Sequence, residues 1–112
     1  MNEDILNQLH FIHSSCNELD IQEKILIENK EDLSKIYQQQ QHFFDELLSS
    51  DYNKEVDDLV NEIMCAQKDS LNKVDDYQEN LKAEKKKLLQ KEESIYEKQR
   101  NSVDIGDTHY VY

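Results

Sequence analysis

Proline is absent from the 112-residue chain, and Gly106 is its only glycine. Tight hairpin turns need backbone with positive φ, which glycine supplies at little cost, and proline sets many rigid corners of sandwiches and barrels. A fold built mainly of β-strands is therefore close to excluded. The same composition lacks the two residues that most often break a helix, so long uninterrupted helices are expected.

Apolar residues in the first half of the chain recur in steps of three and four, the heptad spacing of helices that pack side by side. The positions expected between two such helices are called here the seam. On the first arm the seam consists of Ile5, Leu9, Ile12, Cys16, Leu19, Glu23, Leu26, Lys30, Leu33, Tyr37, Gln40, Phe44 and Leu47. It is apolar at the two ends of this arm and polar in the middle.

A similar stripe follows the second half of the chain. Its seam residues are Val56, Val60, Ile63, Met64, Gln67, Leu71, Val74, Tyr77, Leu81, Leu88 and Ile95. Between the arms lies the segment Ser49-Ser50-Asp51-Tyr52-Asn53, whose short oxygen-bearing side chains compete with helical hydrogen bonds and can cap the next helix.

These patterns predict an all-α fold, a long antiparallel two-helix hairpin that resembles a coiled coil and completes a helical bundle with partner helices. The hairpin occupies residues 1–101, with a helix over 4–48, a turn over 49–53 and a helix over 54–100. Residues 102–112 lose the periodicity and contain the glycine, so they are predicted to form a flexible C-terminal tail.

Folding back about Asp51 places residue n beside residue ~(102 − n) in an antiparallel hairpin. Three acidic residues of the first arm, Glu18, Asp20 and Glu23, then face a basic region of the second arm that consists of Lys82, Lys85, Lys86 and Lys87. An exposed ion pair contributes only about 0 to 1 kcal/mol, so such charges select the register while the apolar seam supplies the stability.

Four apolar residues of the first arm fall outside the seam and widen its apolar stripe beyond what one neighbouring helix covers, namely Ile21, Ile25, Ile27 and Ile36. They either pack within a broad seam or form a second surface that another protein covers. Phe43 and Phe44 point about 100° apart, so one is expected in the seam and the other at a second contact. The candidate partner-binding residues are Ile21, Ile25, Ile27, Phe43, Phe44 and Leu59.

The chain is strongly acidic: 13 Lys or Arg against 25 Asp or Glu give a net charge of −12. Nucleic acids and anionic membrane surfaces would repel such a chain, so a basic or neutral protein partner is expected. No stretch approaches the roughly 18 apolar residues of a membrane-spanning helix, and the acidic start is unlike a secretory signal peptide. We expect a cytoplasmic protein without membrane insertion, and export together with a partner stays open.

The predicted turn is more acidic than the rest, because residues 45–62 contain seven acidic residues and Lys54 alone as a base. Acidic side chains at the start of the second helix favour the positive end of its dipole. Recognition of a basic partner surface is the other interpretation.

Nothing in the sequence indicates catalysis or a cofactor. His10, His13 and Cys16 are spaced so that successive members drift by about 60° around a helix, which is poor geometry for a metal site. Cys16 and Cys65 fall too far apart in the hairpin for a disulfide. Paired carboxylates such as Glu31 and Asp32 lack the concave pocket that a hydrolase needs, so we expect a non-enzyme with no catalytic, cofactor or metal residues.

An acidic helical hairpin of about this length resembles the small helical proteins of the type VII secretion system of Gram-positive bacteria. In the WXG-type members a Trp-X-Gly motif occupies the turn, where this chain has Ser50-Asp51-Tyr52-Asn53 and no tryptophan. The C-terminal export signal of that superfamily, an aromatic residue followed by an acidic one, is replaced here by Tyr96 and Glu97-Lys98-Gln99-Arg100. The chain is most similar to the LXG-associated α-helical proteins, which lack both features.

This resemblance implies a targeting factor or chaperone that binds the helical N-terminal domain of an LXG toxin, beside a second small helical protein. The chain would deliver that complex to the secretion machinery. The alternative from the sequence is a structural coiled-coil protein that associates with itself as a homodimeric four-helix bundle.

Overall fold

Two long helices make up the chain, α1 at Glu3–Ser50 and α2 at Lys54–Val111. The computed structural model describes the backbone of residues 2–50 and 52–111 and the side chains of residues 2–50 and 52–101. No β-strand occurs within these ranges. The predicted all-α class and the helical hairpin are thereby confirmed.

Both helices begin at an asparagine cap. The backbone N–H of Asp4 donates to Oδ1 of Asn2 over 2.7 Å, and the N–H of Glu55 donates to Oδ1 of Asn53 over 2.9 Å. Each bond satisfies one of the N–H groups that a helix start leaves without an internal partner. The short polar segment between the arms thus provides the start signal of α2.

At its other end α1 closes with two serine side chains. Ser49 Oγ donates to the carbonyl of Asp45 over 2.7 Å, and Ser50 Oγ donates to the carbonyl of Leu47 over 3.2 Å. The Leu47 carbonyl is one of the last four of the helix, which have no N–H donor within it. Residues 51–53 then separate the helices, inside the break predicted over 49–53.

Helix α2 runs on to Val111, past the predicted end at Arg100. Extending an existing helix by one residue costs little free energy, because the added N–H bonds a carbonyl of the preceding turn. A single glycine raises this cost by only about 1 kcal/mol. The side chains of residues 102–112 lie outside the described part of the chain, so the flexibility predicted for this tail stays a prediction.

The chain divides into two compact units. The first, called the terminal unit, combines Met1–Gln22 with Asn80–Tyr112, and the second, called the turn unit, is Glu23–Glu79. In the terminal unit Leu9, Ile12, Cys16 and Leu81 are buried. These four side chains come from the seam positions of both helices, so heptad packing forms the core of this unit.

Charged pairs join the two helices beside that core. Lys85 Nζ pairs with Asp20, the partner expected from the sequence, and His13 Nε2 lies 2.6 Å from Glu92 Oε2. All four groups stay partly in contact with solvent. Such pairs contribute little stability but fix which residues face each other.

The turn unit has polar side chains as well as half-buried apolar ones between its helices. Among its described side chains only Val60 is buried. The polar seam residues instead find partners across the helices: Lys30 bonds Asp75, Gln40 accepts from Gln67, and Glu23 accepts from Gln78 over 3.5 Å. The polar middle predicted for the seam is therefore a ladder of cross-helix hydrogen bonds.

The observed register differs slightly from the predicted one. Lys30, predicted to lie opposite residue ~72 by the relation above, bonds Asp75 instead. The residues between the helices are 51–53, centred one position beyond Asp51, which moves every facing pair. A centre one residue further along moves each facing residue by two, and the observed pairs scatter around that value: Gln67 lies beyond the residue predicted opposite Gln40, and Gln78 lies just before the residue predicted opposite Glu23.

Two isoleucines of α1 in the terminal unit provide a matched test of this packing. Ile12 is 1% exposed and Ile21 is 61% exposed. We expect Ile12→Ala to lower the free energy of unfolding by about 2–5 kcal/mol, because it empties a filled position. Ile21→Ala should change it by less than about 0.5 kcal/mol. Urea unfolding followed by circular dichroism measures both, and equal effects would contradict the assigned core.

Candidate interaction surface

Large apolar side chains are exposed along the turn unit. They are Ile25, Ile27, Ile36, Phe43, Leu47, Tyr52, Leu59 and Tyr77. This unit exposes eight large apolar side chains and buries only Val60 among its described residues. Exposed apolar residues that are scattered singly are ordinary, so their arrangement decides whether they form a surface.

On α1 most of them form one stripe. Ile25, Ile36 and Phe43 are separated by eleven and seven residues, so they point within about 20° of one another. Each directly precedes a half-buried seam residue, namely Leu26, Tyr37 and Phe44. The stripe therefore lies about 100° around the helix from the seam.

Helix α2 repeats this arrangement. Leu59 precedes the buried Val60, and Tyr77 precedes Gln78, which bonds Glu23 across the seam. In two antiparallel helices that face each other, the residues that directly precede seam residues lie on the same side of the pair in both helices. The stripes of α1 and α2 therefore share one side of the turn unit. This surface, called the apolar face, consists of Ile25, Ile36, Phe43, Leu47, Leu59 and Tyr77.

Three of the six residues predicted to bind a partner, Ile25, Phe43 and Leu59, are brought together on the apolar face. Phe44 is half-buried in the seam, with its ring centroid 6.0 Å from that of the exposed Phe43. Ile27 follows the seam residue Leu26 and lies on the opposite side of the turn unit. Ile21 is exposed and belongs to the terminal unit.

Ile36, Leu47 and Tyr77 belong to the apolar face but were not among the six candidate partner-binding residues, although Ile36 was expected to lie outside the seam. Leu47 and Tyr77 were assigned to the seam, and this assignment was wrong: Leu47 is 36% exposed and Tyr77 51%. The signal that identifies them is their place directly before a half-buried residue, Leu48 or Gln78. Heptad counting alone passes over this signal where the seam is polar.

Acidic side chains border one end of the apolar face. Glu55 and Glu62 stand four residues before and three residues after Leu59, on the same side of α2. Glu46 precedes Leu47 on α1, and all three carboxylates are exposed. At the other end Lys73 stands four residues before Tyr77. Farther from the turn, Asp32 lies between Ile25 and Ile36 on α1 and Asp76 precedes Tyr77, so the face has acidic neighbours along its length and most of them near the turn.

Tyr52 joins this acidic region from the segment between the helices. Its hydroxyl donates to Oδ2 of Asp57 over 3.4 Å. The negative charge of Asp57 is the main reason that the pKa of Tyr52 is raised above its ordinary value of 10.0, because phenolate beside carboxylate is unfavourable. Asp58 adds to this effect.

The terminal unit carries a groove of its own, about 500 Å³ in volume. Phe11, Leu19 and Leu88 supply its apolar lining, and Lys87 and Lys91 stand at its border with acidic side chains. On the opposite side of the turn unit from the apolar face, a groove of about 410 Å³ is lined by Tyr37, Met64 and Leu71 among glutamines. Both grooves are open channels between two helices.

The histidines and cysteines whose side chains the structure describes, within residues 2–50 and 52–101, are not gathered into a site. His13 contacts Glu92, Cys16 is buried, and Cys65 is exposed, with both cysteines free. Within the residues that the structure describes, no three His, Cys, Asp or Glu side chains are placed to hold a metal ion. In that same part of the chain, neither helix contains an apolar stretch long enough to cross a bilayer.

Comparison with known proteins gives no relative: no family model, curated protein or solved structure matches the chain.

The Tyr52–Asp57 contact predicts a local pH response. The neutral phenol is favoured in the folded chain, so this contact stabilises the fold below the ordinary pKa and is lost as pH rises through the raised one. Asp57→Asn should return the Tyr52 titration towards its ordinary value. NMR of chains with ¹³C-labelled tyrosine rings measures this, with Tyr52→Phe identifying the signal. An unchanged titration in the Asp57 variant would contradict the contact.

Proposed function

We propose that the chain is a non-catalytic helical adaptor that binds partner helices along the apolar face of the turn unit and so completes a helical bundle. The observation that carries the proposal is the contrast between one buried side chain among the described residues of this unit, Val60, and six large apolar side chains exposed on one of its sides. An apolar stripe on a helix is stabilised when another element covers it.

The magnitudes favour a partner that covers the whole face. Burying a large apolar side chain fully contributes about 1.5–3 kcal/mol. Association costs about 4–15 kcal/mol in lost freedom, so one or two residues such as Phe43 are not enough. The stripe from Ile25 to Phe43 spans eighteen residues, or about 27 Å of helix. A partner helix of similar length, lying along the face, meets this requirement.

For the identity of the partner we propose the helical N-terminal domain of an LXG-type toxin, beside a second small helical protein. The support is the resemblance in length, acidity and hairpin form to LXG-associated proteins of type VII secretion. In this proposal the chain acts as a chaperone or targeting factor, because a long helical partner with an exposed apolar stripe would otherwise aggregate. Export of the chain with its partner belongs to the same proposal.

Self-association of the chain is the alternative. Two apolar faces from two copies would also give a four-helix bundle. The same contact would bring two acidic ends or two acidic flanks of a chain of charge −12 into one assembly, which costs energy through like-charge repulsion. The charge therefore favours a different partner over a second copy.

The test is co-expression with the helical N-terminal domain of an LXG toxin from the same genome. We expect a stable complex and a rise in the thermal unfolding midpoint of the chain, because binding to the folded state stabilises it. Phe43→Ser and Ile25→Ser should each weaken binding at least about tenfold, which corresponds to about 1.4 kcal/mol.

Ile27→Ser is the matched control, since Ile27 lies two residues from Ile25 but on the other side of the turn unit. It should leave binding within about twofold, a difference below about 0.5 kcal/mol. A folded monomer that binds no such domain would overturn the proposal. A homodimer by light scattering that resists exchange with toxin helices would favour the structural alternative.

A further inference from the structure

We propose that the end of the apolar face nearest the turn binds a cationic amphipathic helix, whose apolar stripe covers Phe43, Leu47 and Leu59 and whose Lys or Arg side chains pair with the acidic border. This inference rests on the proposed adaptor function and names the chemistry of the partner segment. The border consists of Glu46, Glu55 and Glu62.

The cross-helix pair Gln40–Gln67 places these residues at one level of the turn unit. Leu47 lies seven residues after Gln40 and Val60 lies seven residues before Gln67, so both are about two helical turns nearer the turn and share one level. Leu59, next to Val60, therefore lies level with Leu47 and about one turn from Phe43. Leu59 is 56% exposed and Phe43 is 60% exposed, so most of each side chain is open to a partner.

The acidic side chains of the border lie beside the apolar cluster that Phe43, Leu47 and Leu59 form. Glu55 and Glu62 lie on the same side of α2 as Leu59, one turn to either side, and Glu46 is the neighbour of Leu47. A helix laid on the cluster would bring its own flanking positions near these carboxylates, as the e and g positions of a coiled coil meet those of the facing helix.

Charge complementarity decides among possible occupants. A neutral or acidic helix would cover the apolar cluster but leave the carboxylates partly desolvated and without cations, which is unfavourable. A second copy of this end has the same acidic border and is disfavoured for the same reason. Flanking lysines or arginines on the partner remove this cost, and they also accelerate encounter through electrostatic steering.

The probes are two synthetic three-heptad peptides with leucine at a and d. One carries lysine at e and g, and the other carries glutamate there. Neither pairs well with itself, because like charges face each other. Isothermal titration with the full chain at about 50 mM salt should give at least about tenfold tighter binding of the lysine peptide, with the difference shrinking at about 500 mM as screening grows.

Two double variants with the same change in net charge separate the border from the charge of the whole chain. Glu55→Gln with Glu62→Gln should weaken binding of the lysine peptide at least about fivefold at low salt, because it removes the cation partners beside Leu59. Glu28→Gln with Glu31→Gln, on exposed positions of α1 farther from the turn, should weaken it less than about twofold. Circular dichroism confirms that all variants remain helical.

A third comparison tests the apolar part. Phe43→Ser should abolish binding of the lysine peptide, whereas Ile27→Ser should not. Equal affinity for the two peptides, equal losses in the two charge variants, or binding that survives Phe43→Ser would each overturn the inference. Competition of the peptide by a homodimer of the chain would assign the surface to a second copy instead.

The experiments distinguish failure of the adaptor proposal from failure of the cationic-helix inference. If Phe43→Ser disrupts the complex with a toxin domain while the Glu55 and Glu62 variant does not, the adaptor function stands and the cationic helix is wrong. If the lysine peptide binds as expected but no toxin domain does, the chemistry of the surface stands and the named partner is wrong.

Discussion

Each helix of a two-helix layer covers only one stripe of its neighbour, and the rest of the structure depends on this limit. A side chain that faces the opposite helix is sheltered, while one a quarter-turn away remains in water however apolar it is. Leu9, Ile12 and Cys16 use the sheltered stripe for apolar contacts. In the turn unit, polar residues occupy part of this stripe, namely Lys30, Gln40 and Glu23. Several large apolar side chains of this unit lie beside the seam instead.

In the turn unit, polar seam residues specify the register of the two helices, and apolar residues beside the seam form a surface. Cross-helix bonds such as Lys30–Asp75 and Gln40–Gln67 are satisfied only in one register, because a polar group that slides away from its partner is left unpaired. Their net stabilisation is small. The turn unit therefore has a well-specified register and little apolar burial, which suits a surface whose stability is completed by another molecule.

The fold could be predicted largely from the sequence. The lack of proline and the heptad stripes determined the all-α class, and the polar segment before Lys54 indicated where the helices break. The register was displaced because the centre of a short turn cannot be located to one residue from composition. The end of α2 was missed because no stop signal lies near Arg100, and loss of periodicity ends a packing pattern without ending a helix.

The candidate surface was predicted in part, for a physical reason. Apolar residues beyond the seam were recognised as surplus, and Ile25, Phe43 and Leu59 fall on one face. Ile27 and Phe44 do not, because surplus alone does not say on which side of the seam a residue lies. That side follows from the offset to a buried neighbour, which only the structure identifies where the seam residue is polar, as at Gln78 beside Tyr77.

The uneven core also has a consequence for motion. Local opening of a protein costs least where few apolar side chains are buried, and the turn unit buries Val60 alone among its described residues. Backbone amides of Glu23–Glu79 should therefore exchange with deuterium sooner than those around Ile12. A partner bound to the turn unit would slow this exchange, so deuterium uptake reports binding residue by residue without any attached label.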